Sequence, residues 1–134
     1  RGCNMSDLSH LTGTQYNVLG SSGAHIIHTR AALRNGGADQ AIIPGTVMQI
    51  SEDDARACAP WGGVDEMDPQ VVCGVALEGM TLTATAQPLN LLVSGTVNND
   101  AILIHGSAIP TPEDWNQIQL ETGIVPQGFE YSTP

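Results

Sequence analysis

The chain has 134 residues, with four arginines, no lysine and 14 acidic residues, and a formal net charge of −10. That balance argues against a nucleic-acid-binding face, because phosphate contacts need clustered cations, and it counts against an anionic membrane surface for the same reason. The length suits one domain able to bury a core without staples. No apolar run is long enough to span a bilayer, and no signal-peptide pattern is present.

Residues 1–40 hold scattered apolar groups among Gly, Ser, Thr and Asn, punctuated by Gly20-Ser21-Ser22-Gly23 and Gly36-Gly37. The run from His25 to Arg34 fits either a strand or a short helical turn. Tyr16, Val18, Leu19, Ile26, Ile27 and Leu33 are too many apolar groups for a solvating tail. The segment therefore reads as an extended N-terminal arm that orders on a partner, followed by a folded domain over 41–134.

From Ala41 the pattern is regular. Ala41-Ile42-Ile43 runs into the turn dipeptide Pro44-Gly45, and Thr46–Ile50 and Arg56–Trp61 are short β-prone runs around the polar turn 51–54. After an acidic loop over 64–70, Val71, Cys73, Val75 and Leu77 fall on one strand face and Val72, Gly74 and Ala76 on the other. Thr81–Gln87 alternates as a strand. Leu89, Leu91, Val93, Gly95 and Val97 form a further inward face, where Gly95 predicts a bulge or corner. Thr111, Pro112, Glu113 and Asp114 predict a capped helix start, with Trp115 and Ile118 on one face and Gly123 at the C-cap. Ile124-Val125-Pro126 returns as a last strand. The fold class is mainly β: a small barrel with one short helix, preceded by the arm.

The chemistry-bearing residues form no complete constellation. His25 and His28 would share a face only on a helix, and neither they nor His10 and His105 have patterned partners for a metal. Asp65, Glu66 and Asp68 lack the spacing of a calcium loop and read as a solvated turn, as do Glu52, Asp53 and Asp54. No nucleophile elbow, phosphate loop or dinucleotide fingerprint occurs. Cys3, Cys58 and Cys73 are an odd set without ligand spacing; Cys58 and Cys73 could lie on neighbouring strands, as buried apolar residues or as a bridge. Trp61 and Trp115 read as core or interface anchors. The expectation is a binding protein, not an enzyme, with no catalytic residues, metal or cofactor.

One family carries these pieces in the same order. Ile43-Pro44-Gly45-Thr46-Val47, Ala59-Pro60-Trp61, Val72-Cys73-Gly74-Val75-Ala76-Leu77, Leu91-Leu92-Val93-Ser94-Gly95-Thr96-Val97-Asn98, the helix, and Gly123-Ile124-Val125-Pro126 follow one another along residues 41–126. This set resembles the head decoration proteins of tailed bacteriophages, the lambda D-like capsid-stabilising family. The resemblance implies a β-tulip-like barrel and a homotrimer made in the host cytoplasm. It also implies attachment to the major capsid protein on the outer surface of the expanded virion head, through the N-terminal arm. On that basis Tyr16, Val18, Leu19, Ile26, Ile27 and Leu33 would bind the capsid, and Trp61 and Trp115 would anchor the trimer or the core. No nucleic acid or membrane partner is implied. Ser94 departs from the family, which often has a basic residue before that glycine, and this puts an inter-subunit ion pair in doubt. The alternative is a head fibre or surface adhesion module binding host or environmental glycans.

Overall fold

A computed structural model describes residues 18–20, 24–66, 70–104 and 108–126. In chain order the strands are β1 (Ile26–Ala32), β2 (Gln40–Ile42), β3 (Val47–Ile50), β4 (Ala57–Pro60), β5 (Val72–Ala76), β6 (Met80–Leu82), β7 (Gln87–Val97) and β8 (Gly123–Pro126); the helix α1 (Pro112–Glu121) lies between the last two. Five strands pair in the order β1-β4-β3-β5-β7, and β1 pairs with β7 to close the ring. The chain is thus mainly β, a closed five-stranded barrel with one helix. β1–β4 is the one parallel pair in the ring. β2 and β6 form a separate antiparallel ribbon, and β8 continues the sheet, parallel to the second half of β7.

The staves have two apolar faces because each wall is packed from both sides. Ala32, Met48, Cys58, Ala76, Leu89 and Leu91 form one buried cluster with Ile42 and Leu82 of the ribbon. Every stave contributes to this set, so its side chains converge inside the ring. Val47, Val72, Val75 and Leu92 belong to a second cluster with Trp61, Ile102, Trp115, Ile118 and Ile124. This outer core fills the space between the wall, α1 and β8.

Two glycines allow the wall to close. A Cβ on Gly74 would fall 2.7 Å from the Leu92 carbonyl oxygen, so β5 and β7 approach over bare backbone. At Gly45 φ is +99° and a Cβ would strike the Ala101 carbonyl, which fixes the Pro44-Gly45 turn against residues 101–103. The bulge expected near Gly95 is present as a register shift: Ile26 faces Ser94 and Ile27 faces Leu92, leaving Val93 as the extra residue.

Four expectations need correction. Simple alternation along β5 fails because a register shift against β3 at Met48/Gln49 changes its phase; Val72 and Val75 share the outer core, and Cys73 and Ala76 the inner one. Thr81–Gln87 is not one strand: β6 ends at Leu82, and Thr83 Oγ1 accepts from the Thr85 N–H at 3.1 Å to make a turn. The helix begins as expected, with a full capping box between Thr111 and Asp114, but Thr122 and not Gly123 caps its end. The Thr122 N–H and hydroxyl both donate to the Ile118 carbonyl, freeing Gly123 to open β8. Finally, the fold does not begin at Ala41. β1 is a full stave, and Val18 and Leu19 are 1% and 6% exposed within the outer core.

Candidate binding surface

The end of β7 organises one pole of the molecule. Val97 is bridged to Leu19 on one side and paired with Pro126 on the other. The Gly20 N–H donates to the Thr96 carbonyl at 2.8 Å, the Asn98 N–H to the Val18 carbonyl at 2.9 Å, and Asn98 Nδ2 to the Leu19 carbonyl at 3.2 Å. The chain before residue 18 and the chain after residue 126 therefore both join the barrel at this pole.

Beyond Val97 a 3₁₀ turn at Asn99–Ala101 carries Asn99 and Asp100 to a groove of about 220 Å³. Ile109, Pro110, Pro112 and Trp115 complete its lining. Ile109 is 77% exposed, and Val125 on β8 is also exposed. Proline ends of this kind hold an apolar surface open at little entropic cost, since φ is already fixed. Among the described residues β8 pairs with β7 alone and is the last strand of its sheet.

Four carboxylates along the barrel, Asp114, Glu121, Glu66 and Glu78, are committed to the backbone. Buried Asp114 accepts from the Val64 N–H at 2.8 Å through Oδ1 and from the Thr111 N–H at 2.9 Å through Oδ2, tying the loop after β4 to the helix start. Glu121 Oε1 accepts from the Val72 N–H at 2.8 Å, Glu66 from the Gly62 N–H at 3.3 Å, and Glu78 from the Asn90 N–H at 3.3 Å. Groups so used serve as staples for loops and strands. His25 and His28 stand three apart in extended chain, which separates them, and His25 Nε2 lies 3.2 Å from the Thr96 carbonyl. Among the described residues no group of three or more His, Cys, Asp or Glu is placed to hold a metal, and no helix is long and apolar enough to cross a membrane.

The residues expected to form the capsid-binding arm separate into different places. Val18, Leu19 and Leu33 are buried, and Ile27 packs on the outer core. Ile26 is half-exposed at the bulge. Tyr16 lies outside the described residues, as do Cys3, His10, Asp68 and His105. Reading these apolar groups as an unanchored arm fails for Leu19, Ile26 and Ile27 because their partner is β7 of the same chain, some 60–80 positions away, and for Leu33 because its N–H donates to the Cys58 carbonyl of β4; neither pairing is visible to local periodicity. Trp61 and Trp115, at 0% and 3% exposure, are core residues. The groove residues Asn99, Asp100, Ile109 and Pro110 were not expected; the alternating prolines Pro110 and Pro112 after Ile109 were their one local signal. No family model matches this chain, and neither does any curated protein.

Proposed function

We propose that this chain is a structural, non-enzymatic virion protein that binds the outer surface of an expanded phage capsid and cements it. The observation that carries the reading is the shared pole: Leu19 and Pro126 both meet the end of β7, beside one groove lined by Ile109, prolines and the 3₁₀ turn. The order of sequence pieces along residues 41–126 supports the phage assignment. The attachment arm is then the segment before residue 18, which carries Tyr16; Val18 and Leu19 act as its root. An extended arm that adds to a sheet edge of the major capsid protein gains main-chain hydrogen bonds with little demand on side-chain identity. One such contact is weak once ordering is counted. A homotrimer offers three, and avidity makes the set firm; binding the expanded shell alone then stabilises that shell by mass action.

Both tryptophans are buried, so neither supplies the exposed aromatic platform that the glycan-binding alternative would use. Deleting residues 1–15 is expected to leave the melting temperature unchanged and to abolish binding to expanded heads of the encoding virus, with unexpanded heads unbound by either form. Full occupancy by the truncated chain would overturn the arm, and equal binding to both head forms would overturn the cementing role.

A further inference from the structure

The loop between β1 and β2 carries Asn35-Gly36-Gly37, the one asparagine–glycine step in the chain. The loop is pinned at its ends. The Arg34 N–H donates to the Thr83 carbonyl at 2.9 Å, Arg34 Nη1 meets Asp39 Oδ1 at 3.0 Å, and the Asn35 N–H donates to Gln40 Oε1 at 2.6 Å. Its centre is open: residues 36–39 are exposed, and a Cβ built on Gly36 or Gly37 would meet nothing within 4 Å. Among the described residues the Asn35 side-chain amide and the Gly36 N–H have no hydrogen-bond partner.

The other described asparagines are held differently. Asn90, Asn98, Asn99 and Asn116 are each followed by a residue with a side chain. Thr29 Oγ1 donates to Asn90 Oδ1 at 2.8 Å, and Asn98 Nδ2 donates to the Leu19 carbonyl at 3.2 Å. Leu91, which supplies the nitrogen after Asn90, is paired within β7, and Gln117 lies inside α1. A ladder or a helix engages that nitrogen and holds the backbone away from the folded-back geometry needed for attack on the preceding side chain. Glycine keeps this geometry accessible, because it has no Cβ and few forbidden dihedrals.

We propose that Asn35 is a self-modification site, at which the folded chain deamidates without an enzyme. The Gly36 nitrogen gives up its proton and attacks Asn35 Cγ. A C–N bond forms, the Cγ–Nδ2 bond breaks, and Nδ2 leaves as ammonia with that proton. Water then opens the five-membered imide. Cleavage at the former side-chain carbonyl gives an aspartyl residue, and cleavage at the main-chain carbonyl gives an isoaspartyl one. Either product adds a carboxylate to a chain already at −10, next to the Arg34–Asp39 pair. Position 35 takes part in no strand pairing of β1 or β2, so altered chains stay folded and accumulate as acidic variants. The inference is independent of any role on a capsid.

The test is peptide mapping by mass spectrometry of the full chain, incubated at mildly alkaline pH with and without urea. In the folded chain, position 35 should become a mixture of isoaspartyl and aspartyl forms, in step with the ammonia released and at a rate proportional to hydroxide. Asn90, Asn98, Asn99 and Asn116 should stay intact over the same period. Urea should accelerate the reaction at Asn90 and Asn98 and leave the rate at Asn35 nearly unchanged, because the fold does not protect that loop. An Asn35 that reacts in urea alone would overturn the proposal. So would a folded-chain rate at Asn90 or Asn98 equal to that at Asn35, or a rate at Asn35 that ignores hydroxide.

Discussion

The inside of the ring and the layer outside it are both buried and both apolar, yet they are made of different residues. Inside stand Ala32, Cys58 and Ala76 with Met48, Leu89 and Leu91, none branched at Cβ, and among the described residues no aromatic ring. Outside stand Trp61, Trp115, Ile102, Ile118 and Ile124. A ring of five strands is narrow, so small side chains must stand beside each of the larger aliphatic ones and an indole does not fit. The outer layer must instead bridge from the wall to α1 and β8, a sheet-to-helix gap that requires large residues. The inner core is therefore limited by overfilling, and the outer core by loss of volume. Polar rims differ in the same sense: buried Asp114 staples the outer layer, while Asp54, beside the inner core's mouth, is open to solvent.

The largest effect is expected at Trp61, which is fully buried. Trp61→Ala should cost about 3–5 kcal/mol in denaturant unfolding, the usual range for an aromatic ring removed from a core. Trp61→Phe distinguishes lost volume from lost polarity. The indole Nε1 is buried without a partner, and an unpaired buried donor costs about 1–3 kcal/mol. Phenylalanine removes that donor together with part of the ring, so its net loss should fall below about 1.5 kcal/mol. A loss equal to that of alanine would show that the indole N–H is satisfied in solution.

Inside the ring the sign of the size change reverses. Ala76 is 0% exposed, on the stave whose Gly74 lies bare against Leu92 of β7. Ala76→Leu should destabilise by about 1–3 kcal/mol through overpacking, although the same change at a half-filled site would stabilise. A neutral or positive result would mean that the barrel interior holds unfilled space, and the contrast between the cores would fail.

This contrast also explains what was readable beforehand. β3, β4, β5 and β7 were visible because a wall packed on both sides leaves a dense apolar run bounded by turn residues, as in Val72–Leu77. The helix start was visible because Thr111, Pro112 and Asp114 act locally. β1 was ambiguous because its part of the ring is bordered by Arg30 and by Thr29, whose hydroxyl bonds Asn90 across the sheet at 2.8 Å, so polar groups break the run. Val18 and Leu19 could not be placed without knowing that Val97 would receive them. The groove at the shared pole depends on the 3₁₀ turn and residues 109–112 meeting in space, which no single stretch of sequence encodes.

The smallest effect should come from the inner core's rim. Asp54 Oδ1 accepts from the Arg56 N–H at 3.0 Å and lies 3.4 Å from Arg56 Nε. The backbone hydrogen bond, with the charges of Arg56 and Arg30 assisting, holds its carboxyl below the ordinary value of 3.8. A depressed carboxyl stabilises the fold when ionised, so the contribution is complete above that ordinary value and is lost as the pH falls through the lower folded one. The Asp54 side chain is 38% exposed and that of Arg56 92%, so solvent and salt screen the pair. Asp54→Asn should therefore lower the melting temperature slightly at pH 6 in low salt, with the gap to the unmodified chain closing as the pH approaches 3 and as salt is added. A gap that widens on acidification would reverse the assigned sign, and one that persists in high salt would point to the turn's backbone hydrogen bond, not to charge, as what Asp54 contributes.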